Sequence, residues 1–104
     1  RAMEIALLGD RFSAQTAKDI GMINFVVPND ELESETQKLA NRLAAGPTHV
    51  YGNTKALFYR SLESEFESQL QAEAEYFSDC ASRPDFKEGV TAFIEKREPR
   101  FTGK

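Results

Sequence analysis

The sequence has one cysteine, one histidine and no tryptophan among its 104 residues. The single cysteine, Cys80, excludes an internal disulfide. With His49 as the only histidine, the chain offers too few nitrogen and sulfur ligands for a zinc site of the usual kind. A Ser-His-Asp or Cys-His arrangement would depend on His49 alone. We therefore predict no metal site, and we favour a structural role for His49 over a catalytic one.

A surplus of basic residues is also lacking, since 13 Lys and Arg stand against 17 Asp and Glu, a net charge of -4. Nucleic-acid-binding proteins normally show the opposite balance. The charges are interspersed, so no polybasic patch is available for an anionic membrane. No apolar run approaches the ~20 residues that cross a bilayer, and the first residues do not read as a signal peptide. We expect neither a nucleic-acid nor a membrane partner.

Residues with obvious chemistry are equally scarce. The glycines are scattered and form no phosphate-binding loop. Acidic residues are numerous enough to form pairs by chance, and none stands out as a general acid-base pair. Cys80 is predicted near the end of a long helix, where a small core residue is a better interpretation than a nucleophile. Residue types and spacing alone therefore predict no catalytic constellation.

What the sequence does contain is apolar residues at helical spacing, which predict about six helices. Ser13 is placed to cap the second helix, and Asn29 the third. Pro47 suits the first position of the fourth helix. Residues 22–27 are apolar and largely β-branched, so we predict a brief extended segment there. The predicted fold is mainly α, with at most one very short extended segment.

Two further helices complete this prediction. The longest begins at Ser61 or Ser64, runs to about Ser82 and should be about 30 Å long. In the last helix, Asp85 is predicted as the N-cap, with Glu88 completing a capping box. The first helix, residues 2–8, is apolar on both faces and is predicted to be buried.

Four stretches resemble the C-terminal part of enzymes of the enoyl-CoA hydratase/isomerase (crotonase) superfamily. Residues 2–14 are similar to a helix that ends in a Gly-x-x-(Ile/Phe)-x-Ala turn, and residues 17–28 to Ala-x-x-x-Gly-(Leu/Met)-(Val/Ile)-x-x-Val-Val-Pro. Residues 54–57 resemble the family's Lys-x-(Leu/Ile) segment. Residues 85–101 resemble Asp-x-x-Glu-Gly-x-x-Ala-Phe-x-Glu-Lys-Arg-x-Pro-x-Phe, the most specific of the four. The stretches follow the family's order along the whole chain.

The resemblance implies that residues 1–104 are the C-terminal helical, trimerisation domain of a crotonase-like enzyme. The N-terminal spiral domain, with an oxyanion hole and acidic residues that move protons, is expected upstream of Arg1. On this interpretation the chain holds no catalytic residue and is inactive alone. The resemblance implies a homotrimer or hexamer and an acyl-CoA substrate, with no other cofactor. It also implies a cytoplasmic enzyme, or one of the mitochondrial matrix or peroxisome if the organism is eukaryotic.

Two residues match positions that contact acyl-CoA in the family. Phe93 matches an aromatic that lines the acyl or pantetheine path, and Lys96 matches a lysine that meets a phosphate of CoA. Residues three apart on a helix are neighbours, so one ligand can reach both. Periodicity alone favours the opposite interpretation, in which Phe93 is core and Lys96 is solvated.

The function predicted from the resemblance is hydration of 2-enoyl-CoA thioesters in fatty-acid or related metabolism. One alternative is an enoyl-CoA isomerase, including the ring-opening type of phenylacetate breakdown, because residues 21–23 and the Phe-Thr-Gly-Lys ending are similar to those enzymes. A second alternative is a non-enzymatic helical module for protein interaction.

Overall fold

The computed structural model describes all residues from Arg1 to Lys104 and contains six α-helices and no β-strand. The mainly α prediction is confirmed, and residues 22–27 form no β-strand. The helices are α1 (Ala2–Leu8), α2 (Ala14–Asp19), α3 (Leu32–Ala44), α4 (Thr48–Ser61), α5 (Phe66–Ala81) and α6 (Pro84–Glu95). By its internal contacts the chain divides into two units, residues 1–36 and 37–104, with the boundary inside α3.

In the first unit, short helices are separated by turns that the sequence specifies. Gly9 ends α1 at φ 65, and its N–H donates to the carbonyl of Ile5 at 3.1 Å. The Ser13 hydroxyl accepts from the N–H of Thr16 at 3.0 Å, so the predicted cap of α2 is confirmed. The prediction that α1 is buried is wrong, because none of its residues is buried in this chain.

In the second unit, α4 packs on α5, and α5 packs on α6. The predicted start of α5 is too early, because α4 continues to Ser61 and a turn follows. The N–H groups of Leu62 and Glu63 donate to carbonyls in the last turn of α4. Helix α5 therefore begins at Phe66 and, with 16 residues, is about 24 Å long.

The capping-box prediction for α6 is also wrong. Helix α6 begins at Pro84, which needs no partner for a missing N–H, and no side chain caps its N-terminus. Asp85 is inside the helix and only 5% exposed. Its carboxylate accepts hydrogen bonds from the other end of the segment, at Thr102 and Gly103. The chain after α6 therefore returns along the helix to its first turn.

The interior of the chain is small. Its buried apolar residues are three alanines, namely Ala17, Ala72 and Ala92, and no large side chain is fully buried. Large apolar side chains are exposed on every helix longer than α2. Contiguous exposed apolar surface is typical of faces that another molecule or segment covers.

Candidate functional site

An open apolar groove of about 350 Å³ lies within the second unit. One wall is α6, the opposite wall is the start of α4, and the returning tail closes one side. The lining residues are Pro47, Val50, Asp85, Phe86, Gly89, Val90, Phe93 and Phe101. A concave and almost wholly apolar surface is the usual kind of site for the apolar part of a small molecule.

The groove keeps its shape because the tail is fixed at a buried carboxylate. Asp85 accepts from the N–H groups of Thr102 and Gly103 at 2.8 Å each, and from the Thr102 hydroxyl at 3.1 Å. These bonds, chiefly that from the Thr102 N–H, hold the pKa of Asp85 below its ordinary value. They also place Phe101 against Gly89, where a Cβ would lie 3.5 Å from the ring.

Phe93, one of the two residues predicted to contact a ligand, lies on this groove and is 84% exposed. It is thus not a core residue of this chain, contrary to the interpretation that periodicity alone favours. A second aromatic of α6, Phe86, is held from behind by Phe77 of α5 in an edge-to-face contact with centroids 6.1 Å apart. Of these two rings on the groove, Phe86 is therefore held in place by α5, while Phe93 is exposed to solvent.

Lys96, the other predicted residue, is the C-cap of α6 and has a left-handed backbone at φ 53 and ψ 42. Its N–H donates to the carbonyl of Phe93 at 3.3 Å, so the two residues share the last turn of the helix. The Lys96 side chain is exposed and forms no hydrogen bond or ion pair. A cation at the end of the helix beside an apolar groove is free to bind an anionic group.

The turn after Lys96 is fixed by Glu88, which sequence reasoning assigned to a capping box. The Arg97 guanidinium donates to both oxygens of Glu88, at 2.7 and 2.9 Å, and the Arg100 N–H donates to the same carboxylate at 2.7 Å. The hydrogen bonds from Arg97, more than any other contact, lower the pKa of Glu88 from 4.5 to about 2. Arg97 also pairs with Glu95 at 2.7 Å.

Helical periodicity could not reveal the partners of Asp85 and Glu88. Both residues match the spacing of a capping box, in which the partners are local N–H groups. In the structure the partners lie nine to eighteen residues further along the chain. The only feature of the sequence that indicates these partners is the tail after Pro99, where the last helix is predicted to have ended. This tail contains charged residues and a hydroxyl-bearing residue.

A second polar cluster joins α4 to α5 around His49. The His49 Nε2 lies 2.5 Å from an Asp79 oxygen, and the Asn53 amide donates to Asp79 at 2.9 Å and to the Cys80 sulfur at 3.3 Å. Arg83 completes the cluster with a 3.0 Å bond to Asp79. Hydrogen bonds from His49, then Arg83, hold the pKa of Asp79 well below its ordinary value.

The ligand atoms of His49, Asp79 and Cys80 lie within 4.8 Å of one another, a grouping that the sequence did not predict. Other side chains already occupy this grouping, because the Asn53 amide nitrogen lies within 3.3 Å of an atom of each of the three residues and Arg83 brings a positive charge to Asp79. The cluster is arranged as a cross-link between two helices, in keeping with the structural role predicted for His49.

No helix has the length and apolar character needed to span a bilayer.

The sequence matches the family model described as "Enoyl-CoA hydratase/isomerase" over residues 1–104. It is 40% identical to the 1,2-epoxyphenylacetyl-CoA isomerase of Escherichia coli K12, covering 100% of this chain and 40% of that protein. It is 32% identical to the crotonyl-CoA hydratase of Syntrophomonas wolfei, covering 99% of this chain and 40% of that protein. The chain thus spans about 40% of the length of these relatives.

Comparison with a solved structure also relates this chain to part of an enzyme named enoyl-CoA hydratase. The crystal structure of an enoyl-CoA hydratase from Bacillus anthracis aligns with 100% of this chain and 40% of its own, with a TM-score of 0.90 and 32% sequence identity. The fold of this chain is therefore similar to that of part of an enzyme of that name.

The prediction that residues 1–104 are a C-terminal segment, set apart from the family's domain, is wrong. The domain model itself matches the chain from its first residue to its last, so no separate segment is left over. The four motifs misled on this point because they lie in amphipathic helices and turns. Such elements identify the family, but their order does not show where the domain begins and ends.

Proposed function

Because this chain belongs to the enoyl-CoA hydratase/isomerase family, we propose that it forms a helical, acyl-CoA-contacting part of an enzyme that hydrates 2-enoyl-CoA thioesters. The observation that carries the proposal is the pairing of an apolar groove with a free cation at one end of α6. An acyl-CoA has the same two features, namely an apolar acyl or pantetheine chain and anionic phosphates. The groove fits the first, and Lys96 fits the second.

In this proposal Phe93 and Lys96 bind and orient the substrate. Phe93 packs against the acyl or pantetheine chain, since its ring lies on the groove and is 84% exposed in this chain. Lys96 meets a phosphate with an ammonium that no carboxylate neutralises. Such positioning places the thioester for reaction without taking part in bond changes.

The chemistry adds water across the 2,3 double bond of the substrate. A carboxylate activates the water, whose oxygen bonds to C3, and a proton is delivered to C2. An oxyanion hole of backbone N–H groups stabilises the enolate that forms at the thioester oxygen. We place these elements in a part of the enzyme that this chain does not include, and the chain alone is then inactive.

A second candidate reaction is isomerisation, which moves a double bond or opens a ring without adding water. The 40% identity to the isomerase from Escherichia coli favours it. Phe93 and Lys96 would bind the CoA thioester in the same way, because the CoA part of the substrate is the same in both reactions. The difference lies at the reacting carbons, which this chain is not proposed to contact.

The exposed apolar helices support a further part of the proposal, a homo-oligomer of the trimer or hexamer type. Met3 and Leu7 of α1 are 71% and 75% exposed in this chain, which favours a covered face in the assembled enzyme. The same surface would serve a purely structural interaction module. That alternative predicts no binding of acyl-CoA and no turnover in the complete protein.

The test is an assay of the complete enzyme with 2-enoyl-CoA, 3-enoyl-CoA and epoxyphenylacetyl-CoA thioesters, with each product identified by mass. A gain of water with 2-enoyl-CoA supports the hydratase, and a product of unchanged mass supports the isomerase. No turnover and no binding of any thioester would sink both proposals and favour the interaction module. The 104-residue chain serves as the negative control, and turnover by it would refute the placement of the chemistry elsewhere.

A further inference from the structure

Lys96 has an unusual backbone conformation. It is the only residue other than glycine with a positive φ, while Gly9, Gly21 and Gly103 account for the rest. A left-handed residue at the end of a helix is usually glycine, because a side chain crowds the backbone there. Such an outlier persists only where the surroundings hold it.

The surroundings of Lys96 include a backbone motif and one carboxylate. The N–H of Arg97 donates to the carbonyl of Ala92 at 3.0 Å, which closes the helix in the Schellman manner. Beyond it, the Glu88 carboxylate takes both the Arg97 side chain and the Arg100 N–H. One residue in the middle of α6 thus fixes both the residue after Lys96 and the chain four residues beyond it.

We propose that Glu88 is a positioning residue for Lys96, holding the turn of residues 96–100 so that the Lys96 ammonium meets a phosphate of acyl-CoA. The inference rests on the proposed acyl-CoA function. It explains what holds the Lys96 ammonium in place. It also assigns a role to Glu88, which touches no substrate itself.

The charges around the turn support a positioning role for Glu88 and a ligand-binding role for Lys96. Arg97 is paired with Glu88 and Glu95, so its charge is largely neutralised. Lys96 has no such partner. The Glu88 side chain is 24% exposed and takes part in charge-assisted bonds, so it holds a single geometry better than a solvated pair. Within the turn, the side chains of Lys96 and Arg100 form no ion pair, and Lys96 is the one that lies at the end of α6.

The test compares Lys96→Ala, Glu88→Gln and the double variant in the complete enzyme. The substrates are an acyl-CoA and the corresponding acyl-pantetheine thioester, which lacks all phosphates. We expect Lys96→Ala to raise KM for the acyl-CoA about tenfold, as for the loss of a charge-assisted bond. Glu88→Gln should raise it about threefold to fivefold. Neither variant should change kcat, or KM for the pantetheine thioester, and Glu88→Gln should add nothing in the Lys96→Ala background.

Glu95→Gln is the matched control, because Glu95 also binds Arg97 but does not bind the backbone beyond it. It should leave KM unchanged. If Lys96→Ala leaves KM unchanged, the proposed ligand role of Lys96 is wrong, and the inference is lost with it. If Lys96→Ala raises KM but the effect of Glu88→Gln multiplies with it, or also affects the pantetheine thioester, only the positioning role is overturned.

Glu88→Gln could fail for lack of folding, which circular dichroism would reveal. In that case Arg97→Lys provides the same test. It retains a cation but loses the two-pronged contact with Glu88. The proposal requires it to raise KM for acyl-CoA and to have no added effect in the Lys96→Ala background. An effect equal for both substrates would overturn the proposal.

Discussion

The carboxylate of Asp85, in the first turn of α6, accepts the backbone N–H of Thr102 at 2.8 Å. This contact joins the start of the last helix to the end of the chain. The Gly103 N–H binds the second oxygen at the same distance, so the ionised carboxylate satisfies both donors. The groove bearing Phe93 depends on this contact, since Phe101 is the tail residue in its wall.

Replacing Asp85 with asparagine should destabilise the protein and loosen the tail. An amide has one oxygen acceptor and turns its NH₂ toward the second N–H, leaving a buried donor unsatisfied. We expect Tm to fall by roughly 5 to 10 °C and the amide protons of Thr102 and Gly103 to exchange faster. Asp30→Asn, at an exposed carboxylate without a hydrogen-bond partner, is the control and should change Tm little. An equal Tm for both variants would refute the tail contact.

Two glycine-to-alanine substitutions should have opposite signs. Gly103 has φ 76, and a Cβ there would lie 2.5 Å from the Thr48 hydroxyl oxygen. Gly103→Ala should therefore destabilise the fold by about 1 to 2 kcal/mol. Gly52 lies inside α4 and an added Cβ would meet no other atom within 4 Å, so Gly52→Ala should stabilise the fold by about 0.5 to 1 kcal/mol. Urea unfolding measures both, and a destabilising Gly52→Ala would contradict this reading of the helix.

Acid should weaken the Glu88 contact in a defined pH range. The pKa of Glu88 is lowered from 4.5 to about 2 in the folded chain, chiefly by hydrogen bonds from Arg97. Unfolding raises it again, so the stabilisation is complete above pH 4.5 and is lost as the pH falls toward about 2. Tm measured across this range should fall less steeply in Glu88→Gln than in the unmodified protein. Glu67→Gln, at an exposed carboxylate, should retain the original slope, and a Glu88→Gln profile parallel to it would contradict the prediction.

His49 should matter for stability and not for turnover. His49→Ala removes a partner of Asp79 and weakens the link between α4 and α5. We expect Tm to fall by roughly 5 °C, with kcat and KM of the complete enzyme within twofold of their original values. Asn41→Ala, whose side chain pairs only with Gln37 of its own helix, is the control and should change Tm less. A large loss of kcat in folded His49→Ala would restore the catalytic interpretation.

The sequence was informative where structure is local. The six helices and the Ser13 cap follow from spacing and from side chains that bond within a few residues. Long-range partners were not predictable in the same way. The Asp85 and Glu88 carboxylates have capping-box spacing, and only the folded tail shows that they bind residues 97–103 instead.

The candidate site shows the same division. The family resemblance identified Phe93 and Lys96, because the motif of residues 85–101 includes both. Periodicity misjudged Phe93, since it reports which side of a helix is apolar and not whether anything covers it. The groove itself joins α4, α6 and the tail, so no single stretch of sequence contains it. The proximity of His49 to Asp79 was equally invisible, as thirty residues separate them.

Phe93→Ala tests whether the exposed ring is there for a ligand. Because the side chain is 84% exposed, its loss should change the free energy of unfolding of the 104-residue chain by less than about 0.5 kcal/mol. In the complete enzyme the same change should raise KM for an acyl-CoA about threefold to tenfold, through lost apolar contact with the acyl or pantetheine chain.

Phe58→Ala is the matched control, at a ring that is 72% exposed and lies outside the groove, and it should leave KM unchanged. A variant that destabilises the complete enzyme but binds acyl-CoA normally would show that Phe93 packs against protein, and the ligand role of the groove would then be wrong.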